Sequence, residues 1–443
     1  MGKSGVFDSA KEAVAAAAAA QKDFVKNYTL EDRERFIAQI RKELGPRIPE
    51  FAQLEYEETG YGRVEDKIAK NTGAVMLSSG TEAIPTNVIA SDKGLTVEYY
   101  APFGVIGAVT PVTNPIATII ANTIVMMAGG NTVVFNAHPA SVRCATTACQ
   151  AVNQAIVNAG GPENLCTMPA KPTMATLDDI MYAPEISLLV GTGGPGMVKT
   201  LMATGKKVVA AGPGNPPSII DASCDIKKAA AGICGSATFD NNLLCIAEKE
   251  LFVVDEIFDA FMEELEAIGN YRLTREQADA VTAVGIVKGA DGEYVTNKNL
   301  VGKHAHVILE EAGIKIDTDP RMAFFEAQND DLYVQVEQMQ PIIPVVRCKD
   351  FDEAMERAVA AEHGCRHSAS IWSKNIDHVT AFGKVINTTV FVQNGGTMAA
   401  FGIGGSGTNS PTIATPTGEG VTGPQSFLRR RRFCMAEGGN YLL

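Results

Sequence analysis

The sequence predicts an α/β protein of two domains, each built on a parallel-type sheet, with a small β element left over. Three observations predict it. Short apolar runs rich in β-branched residues alternate with helical patterns from about residue 104 onward, and strands separated by such helices pair in parallel through right-handed crossovers. A chain of 443 residues has room for two or three domains of roughly 100–200 residues each. Two β-patterned segments, 90–101 and 416–443, fall outside the alternation.

The elements follow in order. Residues 8–45 read as two helices: "DSAKEAVAAAAAAQKDFVKN", with Asp8 as its cap, and "TLEDRERFIAQIRKEL", opened by Thr29 with Glu31 and Asp32 behind it. A third helix is expected over 47–80, then strands near 95–101 and 104–109. "PIATIIANTIVMMAGG" is helical, "NTVVFNA" a buried strand, and "SVRCATTACQAVNQAIVNAG" a helix closed by glycines. "ISLLVGTGG", helix "PGMVKTLMATG" and strand "KVVAAG" complete the first alternation. The second runs through a helix at 225–240, strand "KELFVVD", a helix at 255–268, a polar stretch to 300 and strand "HVILEEAG". It continues with strand "QPIIPVVRC", a helix at 352–362, strand "SASIWS", a helix at 375–386 and strand "TTVFVQNGG". The expected division is 1–89 with 102–215, then 216–415, with 90–101 and 416–443 as strands that leave the protomer body. Their unpaired edges need partners, so a homo-oligomer, dimer or tetramer, is expected.

Composition excludes several function classes. Lys plus Arg is 38 against 51 Asp plus Glu, a net charge of −13 that repels nucleic acid. The run "RRRR" at 429–432 reads as a solvated strand or subunit contact. No apolar window is long enough to cross a membrane, and residues 1–30 lack the layout of a secretory signal. Nine cysteines without a C-x-x-C pair indicate a reducing, cytoplasmic setting. His363/His367 and His304/His306 are spaced as pairs, the latter on an expected strand. A third ligand does not converge with either pair in sequence, so no metal is expected.

Three stretches carry candidate chemistry. Gly191-Thr192-Gly193-Gly194-Pro195-Gly196 spells G-x-G-x-x-G between a strand and a helix, where backbone N–H groups can cradle a phosphate. The acidic ribose partner about 20 residues on, at the end of the next strand, is missing. Cys245 follows "TFDNNLL" at the seam between a helical and a strand pattern. It is either a small buried hydrophobe or a nucleophile presented on a loop shaped by polar turn residues. Asn114, in "TPVTNP", caps the following helix or donates its amide to a developing oxyanion.

Together these stretches resemble the aldehyde dehydrogenase superfamily over nearly the whole chain. "TFDNNLLC" is similar to its Phe-x-Asn-x-Gly-Gln-x-Cys segment, "TPVTNP" to Pro-Trp-Asn-Phe-Pro, and "EQMQPIIPV" to Glu-x-Phe-Gly-Pro-Val. The resemblance implies an aldehyde dehydrogenase-like fold, Cys245 as nucleophile, Asn114 as oxyanion amide and Glu337 at the nicotinamide ribose. Further cofactor contacts are implied at Thr110, Pro111, Val112, Thr192, Gly193, Gly194, Ala211 and Gly212. Where hydrolytic members carry Glu-Leu-Gly-Gly-Lys, this chain has Ala211-Gly212-Pro213-Gly214-Asn215. Without that glutamate water is a poor second nucleophile, whereas a thiol ionises far more readily.

The departure is the signature of the CoA-acylating branch, and the chain looks most like the propionaldehyde/acetaldehyde dehydrogenases of bacterial microcompartments. The implied reaction is short aldehyde plus NAD plus CoA to acyl-CoA plus NADH, ping-pong, with propionaldehyde favoured. Asn136 and His138, in "NAHPAS", replace the family's cationic ribose clamp. Cytoplasmic residence inside a microcompartment and shell association are expected, although "MGKSGVFDSAKEAV" shows no encapsulation helix. The alternatives are a hydrolytic enzyme of this fold, an acyl-phosphate reductase, and a non-catalytic structural protein.

Overall fold

The strand runs at 105–109, 132–136 and 186–192 are buried almost throughout, as parallel strands covered by helices on both faces must be. The computed structural model describes residues 4–290 and 292–436. These divide into two compact units, one of residues up to 58, 70–211 and from 409 on, the other of 59–69 and 212–408.

The first unit holds a six-stranded parallel sheet. Its order is Val6–Phe7, Cys166–Pro169, Thr132–Asn136, Val105–Val109, Ile186–Thr192, Lys207–Ala211. Starting from Val105–Val109, the chain adds strands on one side, then crosses to the other. The order therefore reverses between Val105–Val109 and Ile186–Thr192. Helix Pro115–Ala128 is buried along its whole length, which its lack of a polar face demands. A separate antiparallel sheet joins Asn87–Ser91, Gly94–Pro102 and Leu428–Ala436. Val88, Ile89 and Phe433 on it are each more than half exposed.

The second unit holds a seven-stranded parallel sheet. Its order is Tyr271–Arg272, Ala323–Ala327, Ile342–Cys348, Glu250–Val254, Pro217–Ile220, Ser368–Trp372, Val390–Gln393. Leu251, Phe252, Ile343 and Ile371 sit at the centre of its core.

Several local expectations change. The first helix is capped by Ser9, not Asp8, through a box with Glu12. The helix expected over 47–80 is two, Ile48–Thr59 and Val64–Met76, parted where Gly60 and Gly62 take φ of +65° and +72°. "HVILEEAG" is a helix, Ala305–Glu311, burying Ala305, Ile308 and Leu309 at a helical spacing. So short an apolar run does not distinguish the two states by itself. The polar stretch before 300 contains helix Arg275–Gly285, opened by a Thr274–Gln277 capping box and burying only Ala278, Val281 and Gly285.

The unit bounds also move, for reasons of bonding. Residues 59–69 go with the second unit because Arg63 and Lys67 bond to Asp240 and Asn241. The stretch 212–215 follows because Asn215 Nδ2 donates to the carbonyls of Val334 and Ala361, 2.9 Å each. Residues 409–415 go with the first, where Asn409 N–H donates to Leu77 O.

Candidate active site

Four parallel strands of the second unit begin at one edge of its sheet, and the residues just before them form the candidate site. Gly214 precedes Pro217–Ile220, Cys245 precedes Glu250–Val254, Glu337 precedes Ile342–Cys348 and His367 precedes Ser368–Trp372. Parallel pairing brings all four together.

Cys245 is carried by a loop whose shape is costly and heavily bonded. Asp240, Asn241 and Asn242 all adopt left-handed φ (50°, 57°, 63°) and are fully buried. Asn and Asp tolerate that region better than most residues, yet each such residue costs about 1 kcal/mol or more unless its surroundings fix it. Here they do. The Asp240 carboxylate accepts from the Arg63 N–H (2.9 Å) and pairs with Lys67 Nζ (3.1 Å), both side chains fully buried. Asn241 Oδ1 accepts from Arg63 Nε at 2.8 Å, and its Nδ2 donates to Gly302 O at 2.9 Å. Asn242 Nδ2 donates to the carbonyls of Ala237 and Glu248, and Lys249 Nζ donates to Asn242 and to Leu244 O. "FDNN" is thus a rigid mount.

Gly62 is part of it: a Cβ there would lie 1.7 Å from Asp240 Oδ1, at a φ of +72°. Gly62→Ala is therefore expected to destabilise by roughly 3 kcal/mol or more, read as a lowered midpoint in urea. An unchanged midpoint would show that the mount is not what holds this region.

Against this buried mount Cys245 itself is only half-buried, as is Glu337. Loss of solvent and, second, the charge of Glu337 push the Cys245 thiol up to about 12, with Lys249 opposing. Burial raises Glu337 as well, while Lys249 and the Gly214 N–H, 3.4 Å from its Oε1, work against that. The resting group at pH 7 is a thiol. Its thiolate fraction, and with it iodoacetamide labelling of the Cys245 peptide, is expected to rise about tenfold per unit between pH 7 and 10. Glu337→Gln should speed labelling several-fold at pH 8 by removing the raising charge. A labelling rate flat across this pH range, or slower in Glu337→Gln, would contradict the arrangement.

His367 is the site residue the sequence reading missed. The helix break at Gly364 separates it from His363, which is exposed and sits against Gln335 O. His367 is fully buried, its Nδ1 2.8 Å from Ser368 Oγ and its Nε2 without a partner. Burial, then Lys249, lowers it to about 4, so it is neutral. A Cβ on Gly214 would meet both the His367 ring and the Cys245 carbonyl at 2.8 Å, so the glycine is what lets them pack so close. The only sequence signal was a histidine directly ahead of a strand.

The other candidates, Gly212 apart, belong to the first unit. They lie just past the carboxyl ends of its parallel strands, where open α/β sheets bind ligands at the point of strand reversal. Thr110, Pro111, Val112 and Asn114 follow Val105–Val109, and Gly193 and Gly194 follow the strand that ends at Thr192. Asn136 and Ala211 end the flanking strands. Gly212 opens the second unit.

The first-unit residues fit a dinucleotide. A Cβ at Gly191 would meet Leu201 at 2.4 Å, so that glycine serves packing. Gly193, Gly194 and Gly196 have ordinary φ, and a Cβ would meet nothing closer than 3.8 Å at Gly193 and nothing within 4 Å at the other two. Nothing inside the chain requires them to be bare; a ligand approaching the backbone would. Thr110 Oγ1 is buried and unpartnered. Asn136 is different, its amide accepting from Thr176 Oγ1 and donating to Thr173 O. The exposed His138 uses Nδ1 to accept from Ala140 N–H.

Asn114 precedes the helix-opening Pro115, but its side chain makes no cap bond. Its Nδ2 reaches only Thr113 Oγ1 at 3.3 Å, and its Oδ1 is buried without a partner. The capping reading falls; an amide free for another role remains.

The chain matches the aldehyde dehydrogenase family over residues 5–415. It is 42% identical over 443 residues to an acetaldehyde dehydrogenase (acetylating) of Bilophila wadsworthia, covering 98% of this chain and 91% of that protein. A propionaldehyde dehydrogenase from the Clostridium phytofermentans fucose utilisation bacterial microcompartment superposes with a TM-score of 0.94 at 43% identity, over 98% of each chain. A Rhodopseudomonas palustris propionaldehyde dehydrogenase, solved with bound propionyl-CoA, gives 0.95 at 39% identity, over 98% of this chain and 96% of that one. This chain belongs to the aldehyde dehydrogenase family, in its CoA-acylating branch.

Proposed function

We propose that the protein converts a short aliphatic aldehyde, propionaldehyde favoured, to its acyl-CoA through a thioester on Cys245. The observation that carries this is a half-buried cysteine on a fully buried, fully bonded mount beside Glu337.

NAD fits the first unit, and when bound it supplies the two-electron acceptor. Thr110, Thr192 and the backbone at 193–196 would hold it, and the role of Glu337 would be to hold the nicotinamide ribose. A Glu337 carboxylate engaged by ribose hydroxyls presents less charge to the thiol, so Cys245 ionises more readily when the cofactor is in place. Cys245 Sγ attacks the carbonyl carbon, and Asn114 Nδ2 with the Cys245 N–H donates to the oxygen as it becomes negative. After oxidation the acyl group stays on Cys245. With alanine at 211, no carboxylate from that position prepares a water, and the CoA thiol takes the acyl group instead.

The apolar side chains Val88, Ile89 and Phe433 on the small antiparallel sheet suit a contact between copies, so the active form is a homo-oligomer. A microcompartment is its place of work, as for the Clostridium relative. One methylene separates acetaldehyde from propionaldehyde, worth about 1–3 kcal/mol in an apolar pocket.

The test is NADH formation across C2–C4 aldehydes with and without CoA, with products identified by mass. Sustained turnover to acyl-CoA and a single equivalent of NADH without CoA are expected. Free acid at full rate without CoA would establish the hydrolytic alternative.

A further inference from the structure

The two histidines expected on a strand instead flank the start of helix Ala305–Glu311, and a carboxylate distant in sequence joins them. His304 Nδ1 lies 3.0 Å from Asp319 Oδ2, and His306 Nδ1 lies 2.7 Å from Asp319 Oδ1. The three ligand atoms all fall within 4.8 Å of one another, and the imidazoles meet edge to face at 5.5 Å. All three side chains are partly exposed, at 25%, 38% and 40%. Behind them Arg63, almost wholly buried, grips the same carboxylate with Nη1 at 3.1 Å and Nη2 at 3.3 Å.

We propose that His304, His306 and Asp319 form a binding site for one zinc-like divalent transition ion, with water as the remaining ligand. The donor set is right for such an ion: two imidazole nitrogens and a carboxylate oxygen. A tetrahedral ion with bonds near 2.0–2.1 Å needs ligand atoms roughly 3.3 Å apart, so modest rotations about the imidazole side chains close the set. Asp319 has lone pairs to give. Arg63 takes one on each oxygen, and those facing His304 and His306 are the ones an ion would take.

In the metal-free state each Nδ1 can donate a proton to Asp319. On binding, neutral imidazoles carry that proton on Nε2 instead, and a protonated imidazole would release one, so acid competes with the metal. Arg63 orients the carboxylate from behind, as outer partners of metal ligands do. The same Arg63 bonds to Asn241 in the Cys245 mount, so the ion would be linked to the mount through one side chain. No metal was expected from the sequence because neither histidine pair had a third ligand; the fold supplies Asp319 to one of them.

The test uses tag-free, chelator-treated full-length protein, titrated with Zn²⁺ against a chromophoric chelator and with Co²⁺ by absorption. One equivalent per chain is expected, without thiolate-to-cobalt charge transfer, since nine cysteines offer a rival site. Affinity should fall more than about tenfold in His304→Gln and in His306→Gln, each losing one of three protein ligands. Their retained aldehyde oxidation would show that they fold. The proposal is overturned if no equivalent competes with the chelator, if the double variant binds as tightly, or if the bound cobalt shows thiolate charge transfer.

Discussion

Cys245→Ala is expected to lower CoA-dependent NADH formation by a factor on the order of 10⁴–10⁶, the loss seen when an enzyme's nucleophile is removed. Five of the other eight cysteines are poorly placed to replace it. Cys144, Cys149, Cys166 and Cys348 are buried, with Cys149 and Cys166 packed sulfur to sulfur at 3.4 Å. Cys434 is exposed, but on a strand of the antiparallel sheet in the other unit. The fold should survive the change, because the mount is held by Asp240, Asn241, Asn242 and Lys249 and not by the sulfur. The informative pair of measurements is steady-state NADH formation beside NAD affinity. Affinity within a few-fold of the parent with turnover gone locates the loss in chemistry. Residual turnover above about one per cent would mean that another group accepts the aldehyde.

Asn114→Ala is expected to lower kcat by about 10²–10³, some 2.7–4 kcal/mol, the usual effect of removing one oxyanion donor. Stability should change little, within about 0.5 kcal/mol, because the Asn114 side chain caps nothing. That pairing separates the two readings of the residue. A capping asparagine would give the reverse, about 1 kcal/mol of stability lost and kcat nearly intact. Asn114→Asp sharpens the test: it is nearly isosteric, but sets a negative charge where one develops. It should be at least as damaging as alanine.

Much of the fold was legible because it is written locally. Glycine-closed helices and buried β-branched runs gave most strands of both parallel sheets, and Asn375 and Asp225 cap where helices were expected to begin. The failures are also local in kind. "HVILEEAG" is too short an apolar run to decide between strand and helix. Arg275–Gly285 hides its buried stripe among polar neighbours. The helix over 47–80 breaks where Gly60 and Gly62 take left-handed φ, and Gly62 packs against Asp240, a partner that lies 178 residues beyond it.

The site divides the same way. Cys245 and Asn114 stood out as candidates in their own stretches of sequence, while Glu337 and the missing carboxylate at Ala211 came from the family resemblance. The raised thiol, the neutral His367, the three left-handed residues under Cys245 and the arrival of Asp319 beside two histidines were not. Backbone preference and hydrophobic period depend on adjacent residues, so a sequence carries them openly. Burial, charge proximity and ligand convergence depend on which strand starts share a sheet edge, and only the folded path of the chain decides that.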